Sequence, residues 1–269
     1  MSAPDPISDA GTPLPHAPVP NRALRWAEML AIFFGIPAFV AVFLDPEQRL
    51  RPWFDASGAD GVFAGMRAAA GMIIPILLIF AVVVTVVLAR DKTFENRVLW
   101  HARGMRGDLA RMLILFTLAA PLLLGVAWLL AAKTDIMTAT FPDGSTRSAF
   151  LYLPQRYPIF LFILLPVYGV FSAYPQEIVS RAFFFHRYLG LFPNTASAVV
   201  VNALAFMWLH CPFWSLEAFA LTLPGGFLFA WTYLKTKSTL AAGVEHALYG
   251  WWAFFTGLGW FVFTGSIGT

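Results

Sequence analysis

Glu177 and Arg181 stand four residues apart in the string Gln176-Glu177-Ile178-Val179-Ser180-Arg181. On a helix that spacing sets a carboxylate and a guanidinium on one face, where they can pair. A carboxylate held this way is fixed in position and biased towards ionisation. It can orient a histidine, bind a metal or take a proton from water. Two more strings, Phe206-Met207-Trp208-Leu209-His210 and Glu245-His246-Ala247-Leu248-Tyr249-Gly250, each put an imidazole in or beside an apolar run. A neutral imidazole is a metal ligand, a general base or a donor to a developing oxyanion. One carboxylate and two histidines can hold a nucleophilic water, or a zinc ion with one position open. Ionisable groups at membrane depth are costly and are functional candidates for that reason. The intervals from 177 to 210 and from 210 to 246 are each long enough to reach another helix.

Each signal also has a structural reading. Glu177 and Arg181 alone are equally a pair at a helix end, and a lone intramembrane histidine usually bonds a backbone or hydroxyl group. Gln176 points about 100° away from Glu177 and cannot act as a base. Glu245 can supply a second carboxylate beside His246, but adjacent residues do not share a helix face. Cys211 reads as a small core residue, the tryptophans as interfacial anchors, and His101 and His186 as solvated. His16 lies in the N-terminal tail.

The elements that must position these groups are membrane helices. The 269 residues are 59% hydrophobic and 12% charged, with mean hydropathy +0.69. A soluble domain carries about twice that charged fraction. Apolar runs of about 20 residues are long enough to cross a hydrocarbon core of ~30 Å. They are continuous rather than alternating, which excludes a β-barrel. The expected fold is all-α, a polytopic bundle of about seven transmembrane helices near 26–44, 68–89, 112–131, 158–178, 195–211, 214–234 and 239–262. Pro166, Pro175 and Pro224 fall in or at the edge of spans and are expected to kink them. The single cysteine excludes an intramolecular disulfide and a cysteine-rich metal site. No basic-aromatic patch points to nucleic acid.

Residues 1–22 read as a disordered cytoplasmic tail, rich in proline and small residues. Residues 23–157 read as accessory helices and loops. The run after Arg25 is too long for a signal peptide and is expected to stay as the first helix. Twelve of the 18 lysines and arginines fall in the tail and the loops on its side, among them Arg111 and Arg181. That bias puts the N-terminus in the cytoplasm and the C-terminus outside. The charged stretch 90–111 is expected to be a solvated basic loop, or else a segment lying on anionic lipid. Phe141-Pro142-Asp143-Gly144-Ser145 suggests a small outside hairpin.

The order of the three strings, with the flanks Arg181-Ala182-Phe183-Phe184-Phe185 and Thr236 to Ala242, resembles the CPBP family. These are the CAAX proteases and bacteriocin-processing intramembrane endopeptidases, also called ABI, with the pattern Glu-Glu-x-x-x-Arg, Phe-x-x-x-His and His-x-x-x-Asn/Asp. The resemblance covers about 158–262 and implies a catalytic helix core over 158–264. In the family the first Glu of the motif activates water with help from the first His, and the second His and the Asn hold the scissile carbonyl. Carried over, this implies roles for Glu177 or Gln176, Arg181, His210 and His246. Two positions depart: Gln176 replaces the first Glu, and Gly250 replaces the Asn.

The preferred expectation is an intramembrane endopeptidase of the bacterial inner membrane, acting on a membrane-anchored or membrane-inserted peptide or protein. Glu177 activates water, Arg181 fixes it, His210 polarises the water and His246 stabilises the oxyanion. His210, His246 and Glu177 could instead hold zinc, so metal-dependent and metal-free sites both stay open, and no other cofactor is implied. Gln176 and Gly250 motivate an alternative, a catalytically degraded relative acting in peptide binding, immunity or scaffolding. A transporter or proton relay is a third reading, without an inverted repeat to support it. One tension remains: His210 and His246 lie at depths about 10 Å apart along their expected spans. They meet only through a buried turn near Gly190–Asn194, strong tilt, or a later start of the fifth span.

Overall fold

The computed structural model describes residues 21–43, 72–140 and 145–262. The expected tail, including His16, and the loop from 44 to 71 lie outside them. In chain order the elements are α1 (Arg22–Phe43), α2 (Ile73–Arg90), α3 (Arg97–Trp100), α4 (Arg103–Lys133), β1 (Thr138–Thr140), β2 (Thr146–Ser148), α5 (Tyr152–Arg156), α6 (Pro158–Leu191), α7 (Thr195–Trp208), α8 (Leu216–Thr236) and α9 (Thr239–Thr256). The protein is an all-α membrane bundle. The strands form an antiparallel pair with Ala139 opposite Arg147. This agrees with the expected hairpin, although its tip, 141–144, is outside the described residues.

Among the described residues, five helical segments are long and apolar enough to cross a membrane: Arg22–Phe43, Ile73–Arg90, Gly104–Lys133, Pro158–Leu191 and Thr195–Phe213. Ile79, Leu118 and Phe162 stand well exposed on three of them, as side chains bathed in acyl chains would. The expected count of seven spans is not reached among the described residues. The sixth and seventh segments do form helices, α8 and α9, but neither belongs to the apolar five. The reason is local. Helix α9 packs against α4, α6 and α8 and carries Glu245 and His246 inward, so protein rather than lipid surrounds much of it.

Three expectations near the site need correction. Stretch 90–111 is not simply a solvated loop, because α3 lies within it and α4 begins at Arg103. Arg111, expected on the surface, is mostly buried and paired with Asp108. The fourth span does not stop near 178. It continues to Leu191, and Arg181 lies fully buried inside it rather than in a loop.

Helix α6 stays continuous by changing its winding. It passes through π-helical turns at Gly169–Ala173 and Ile178–Phe183, on either side of the short α-helical stretch Tyr174–Glu177. Such turns re-satisfy backbone groups near Pro166 and Pro175, and they recur at functional sites. Polar side chains set the starts of the following helices. Asn194 accepts from the Ser197 amide, Ser215 from Ala218 and Ser238 from Ala241, which supplies donors at helix N-termini with acceptors. The turn between α8 and α9 is tied back to the start of α4. The His101 ring donates to the Lys237 carbonyl at 2.6 Å and Ser238 Oγ donates to the His101 carbonyl at 2.7 Å. His101 is therefore a tertiary link and not a solvated ring. His186 is another, 3.0 Å from Asp91.

Candidate active site

Small residues let α6 and α9 approach closely. A Cβ on Gly243 would lie 3.0 Å from the Tyr174 ring, Gly169 faces Ala247, and Gly250 lies against the Tyr168 ring. Positions 243, 247 and 250 share one face of α9, and small residues there bring two backbones together. That contact carries Glu177 and His246 into reach of each other.

Glu177 is 0% exposed and His246 is 5% exposed. His246 Nδ1–H donates to Glu177 Oε1 at 2.9 Å. Arg181 Nε lies 3.2 Å from the other carboxylate oxygen, Oε2. That contact is an ion pair without hydrogen-bond alignment, so Oε2 has no donor of its own among the described residues. Arg181 is itself anchored. It donates to Asn202 Oδ1 at 2.9 Å and to the carbonyls of Ser180 and Gly226 at 3.4 Å, and its guanidinium lies 4.7 Å over the Phe206 ring. Asn202 in turn donates to the Ser180 carbonyl at 2.6 Å. A buried guanidinium needs partners of this kind, because desolvation otherwise outweighs its attraction to a single carboxylate.

His246 is held on all sides. Its ring stacks on Phe229 at 4.6 Å and 14°, and meets the edge of Phe206 at 5.5 Å. Its Nε2 lies 3.1 Å from the Tyr168 hydroxyl. Because Nδ1 donates to the carboxylate, neutral His246 accepts at Nε2 and the phenol donates.

His210 follows α7 in the turn before Cys211–Phe213. Its Nδ1–H donates to the Phe206 carbonyl at 2.9 Å, and its ring contacts Phe206 at 5.2 Å. The tautomer leaves a lone pair on Nε2. The same Phe206 ring thus touches His210, His246 and the Arg181 guanidinium. Glu177, His210 and His246 lie in one region, with Glu177 bonded to His246 and both imidazoles against the Phe206 ring. The fifth helix begins at Thr195 as expected, and the chain before it is partly buried at Leu191 and Phe192.

Other expected participants lie elsewhere. Gln176 donates to Ser172 Oγ at 3.0 Å, away from Glu177. Glu245 faces a separate buried cluster. It accepts from Thr232 Oγ1 and lies 3.7 Å from Arg111, which pairs with Asp108, as does Lys235 at 2.9 Å. Gly250 contributes room rather than a polar group. Cys211 is a buried free thiol. Glu177 Oε1 and His246 Nδ1 face each other, His246 Nε2 faces Tyr168, and no three His, Cys, Asp or Glu among the described residues are grouped to hold a metal ion. Sequence reasoning missed Tyr168, Asn202 and Phe229. Asn202, a lone amide in an apolar helix, carried a signal; the two aromatics did not stand out among the aromatic residues.

Residues 158–252 match the family model described as Type II CAAX prenyl endopeptidase Rce1-like. The CPBP resemblance is shown over this segment. Searches of curated proteins and of solved structures returned no match for the chain. The matched segment contains Tyr168, Glu177, Arg181, Asn202, Phe206, His210, Phe229 and His246, so every group of the site just described comes from the CPBP-like part.

Proposed function

We propose that the protein is an intramembrane endopeptidase hydrolysing a peptide bond in a membrane-anchored or membrane-inserted peptide or protein. One observation carries this reading: a fully buried carboxylate, Glu177, held between Arg181 and His246 inside the CPBP-like segment. Water donates one proton to Glu177 Oε2 and a hydrogen bond to His210 Nε2 as its oxygen bonds the carbonyl carbon. The carbonyl π electrons move to oxygen, and the oxyanion forms beside His246, which stabilises it by charge when doubly protonated. Collapse restores the carbonyl and breaks the C–N bond, and the proton passes from Glu177 to the departing amine. Arg181 keeps the carboxylate placed. No step is routed through a metal.

This differs from the pairing that the resemblance implies, since Glu177 bonds the second histidine and not the first. Gln176, turned towards Ser172, is left without a chemical role. The alternative is a degraded relative that binds peptide without cleaving it, favoured by the residues at 176 and 250. The test is turnover of a membrane-peptide library by the purified full chain and by Glu177→Ala, His210→Ala and His246→Ala. Loss of turnover on the order of 10²-fold or more in each variant is expected. Equal cleavage by all four proteins sinks the reading.

The proposal places the protein in a bacterial inner membrane with its N-terminus cytoplasmic and its C-terminus outside. Reporter fusions after Lys92 and at the C-terminus test this, the first active only inside and the second only outside. The opposite pattern overturns it.

A further inference from the structure

Gly250 and Tyr168 compete for one volume. A Cβ built on Gly250 would lie 2.6 Å from the Tyr168 hydroxyl oxygen and 2.6 Å from the ring carbon bearing it. No side chain fits at 250 while the phenol is in place. The phenol is not merely filling a gap, because its oxygen is 3.1 Å from His246 Nε2. Its ring also meets Phe254 edge-on at 5.6 Å, which fixes the direction of the hydroxyl. Glu177, His246 and Tyr168 form an unbroken chain of carboxylate, imidazole and hydroxyl, with the hydroxyl at the end remote from the charge.

We infer that Tyr168, seated in the space that glycine at 250 leaves open, is a further catalytic residue whose hydroxyl donates to the substrate carbonyl oxygen beside His246. The assignment rests on the endopeptidase reading above and deepens it. In the form that reacts, His246 has taken a second proton from solvent before substrate binds and keeps it through the cycle, supported by Glu177 at Nδ1, and its Nε2–H donates to the phenol oxygen. The phenol O–H is then released to the carbonyl oxygen. The phenol keeps its proton throughout. It strengthens a hydrogen bond as the carbonyl π electrons reach oxygen, and weakens it when the C–N bond breaks. A donor aimed where charge develops acts mainly on kcat.

The swap of partners is the specific test. Tyr168→Phe removes one oxygen and keeps the packing, and kcat is expected to fall on the order of 10²-fold with KM within about twofold and the melting midpoint lowered only by the one hydrogen bond lost at His246. Gly250→Asn alone is expected to displace the phenol and lose turnover. In Tyr168→Ala/Gly250→Asn the amide has room, and kcat is expected to recover about tenfold over Tyr168→Ala. The assignment is overturned if Tyr168→Phe keeps kcat within about threefold while Glu177→Ala is inactive, or if the double variant recovers nothing. Full turnover by Glu177→Ala overturns the endopeptidase reading instead, and this assignment with it.

Discussion

Arg181 illustrates what burial asks of a single charge. Its guanidinium meets Glu177, Asn202, Ser180 and Gly226 and lies over Phe206, with none of its surface exposed. Removing it leaves the Glu177 carboxylate buried without a counter-charge. Arg181→Gln is therefore expected to cost about 3–5 kcal/mol, read as a lowered denaturation midpoint in detergent. Arg181→Lys should recover little, because an ammonium cannot reproduce the planar fork that reaches several acceptors at once. Gln176→Glu separates the two carboxylate positions. Its side chain faces Ser172, so turnover is expected to stay within about twofold. A gain of more than about tenfold would move the base from Glu177 to position 176.

Close approach between helices is what makes the site at the next scale. A Cβ on Gly226 would fall 2.9 Å from the Cα of Ala203, which is backbone and cannot swing aside. Gly226→Ala is expected to lower stability by about 1–3 kcal/mol through overpacking. It should also lower turnover, because the Gly226 carbonyl accepts from Arg181. A melting curve with an activity assay checks both. Beyond the α2 terminus, Asp91 accepts from the Thr93 hydroxyl and lies against His186, and these bonds hold its carboxyl well below the usual range. A carboxyl depressed in the folded state adds stability above its unfolded pKa of about 3.9, and that stability is lost as pH falls further. Asp91→Asn is expected to flatten the acid limb of the stability–pH curve below about pH 4. An unchanged limb would show that another group sets it.

Across the whole molecule, the helical membrane class and the Glu177–His210–His246 convergence were legible in the sequence, because ionisable side chains in apolar runs need each other. The expected count of seven spans is not reached among the described residues, because α8 and α9 carry Glu217, Lys235, Glu245 and His246 and are less continuously apolar. Arg111 was misplaced because its partners, Asp108 on its own helix and Glu245 far along the chain, meet only after folding. Tyr168 was hidden because a tyrosine inside an apolar helix looks like any packing aromatic, and only Gly250 packed against it reveals its place. Gln176 and Gly250 read as defects in the sequence. In the fold Gln176 is turned out of the site and Gly250 is filled from another helix.

The winding of α6 has a consequence for how this segment tolerates changes in length. A π turn accommodates one residue more than an α turn over the same hydrogen-bonded span. Ile178–Phe183 therefore stores a surplus residue between Glu177 and everything that follows. Deleting one residue there lets the segment relax to ordinary α geometry and keeps the downstream face close to its present orientation. A shortened gene would thus encode a better-wound helix whose arginine, now three residues from its carboxylate, still shares its face.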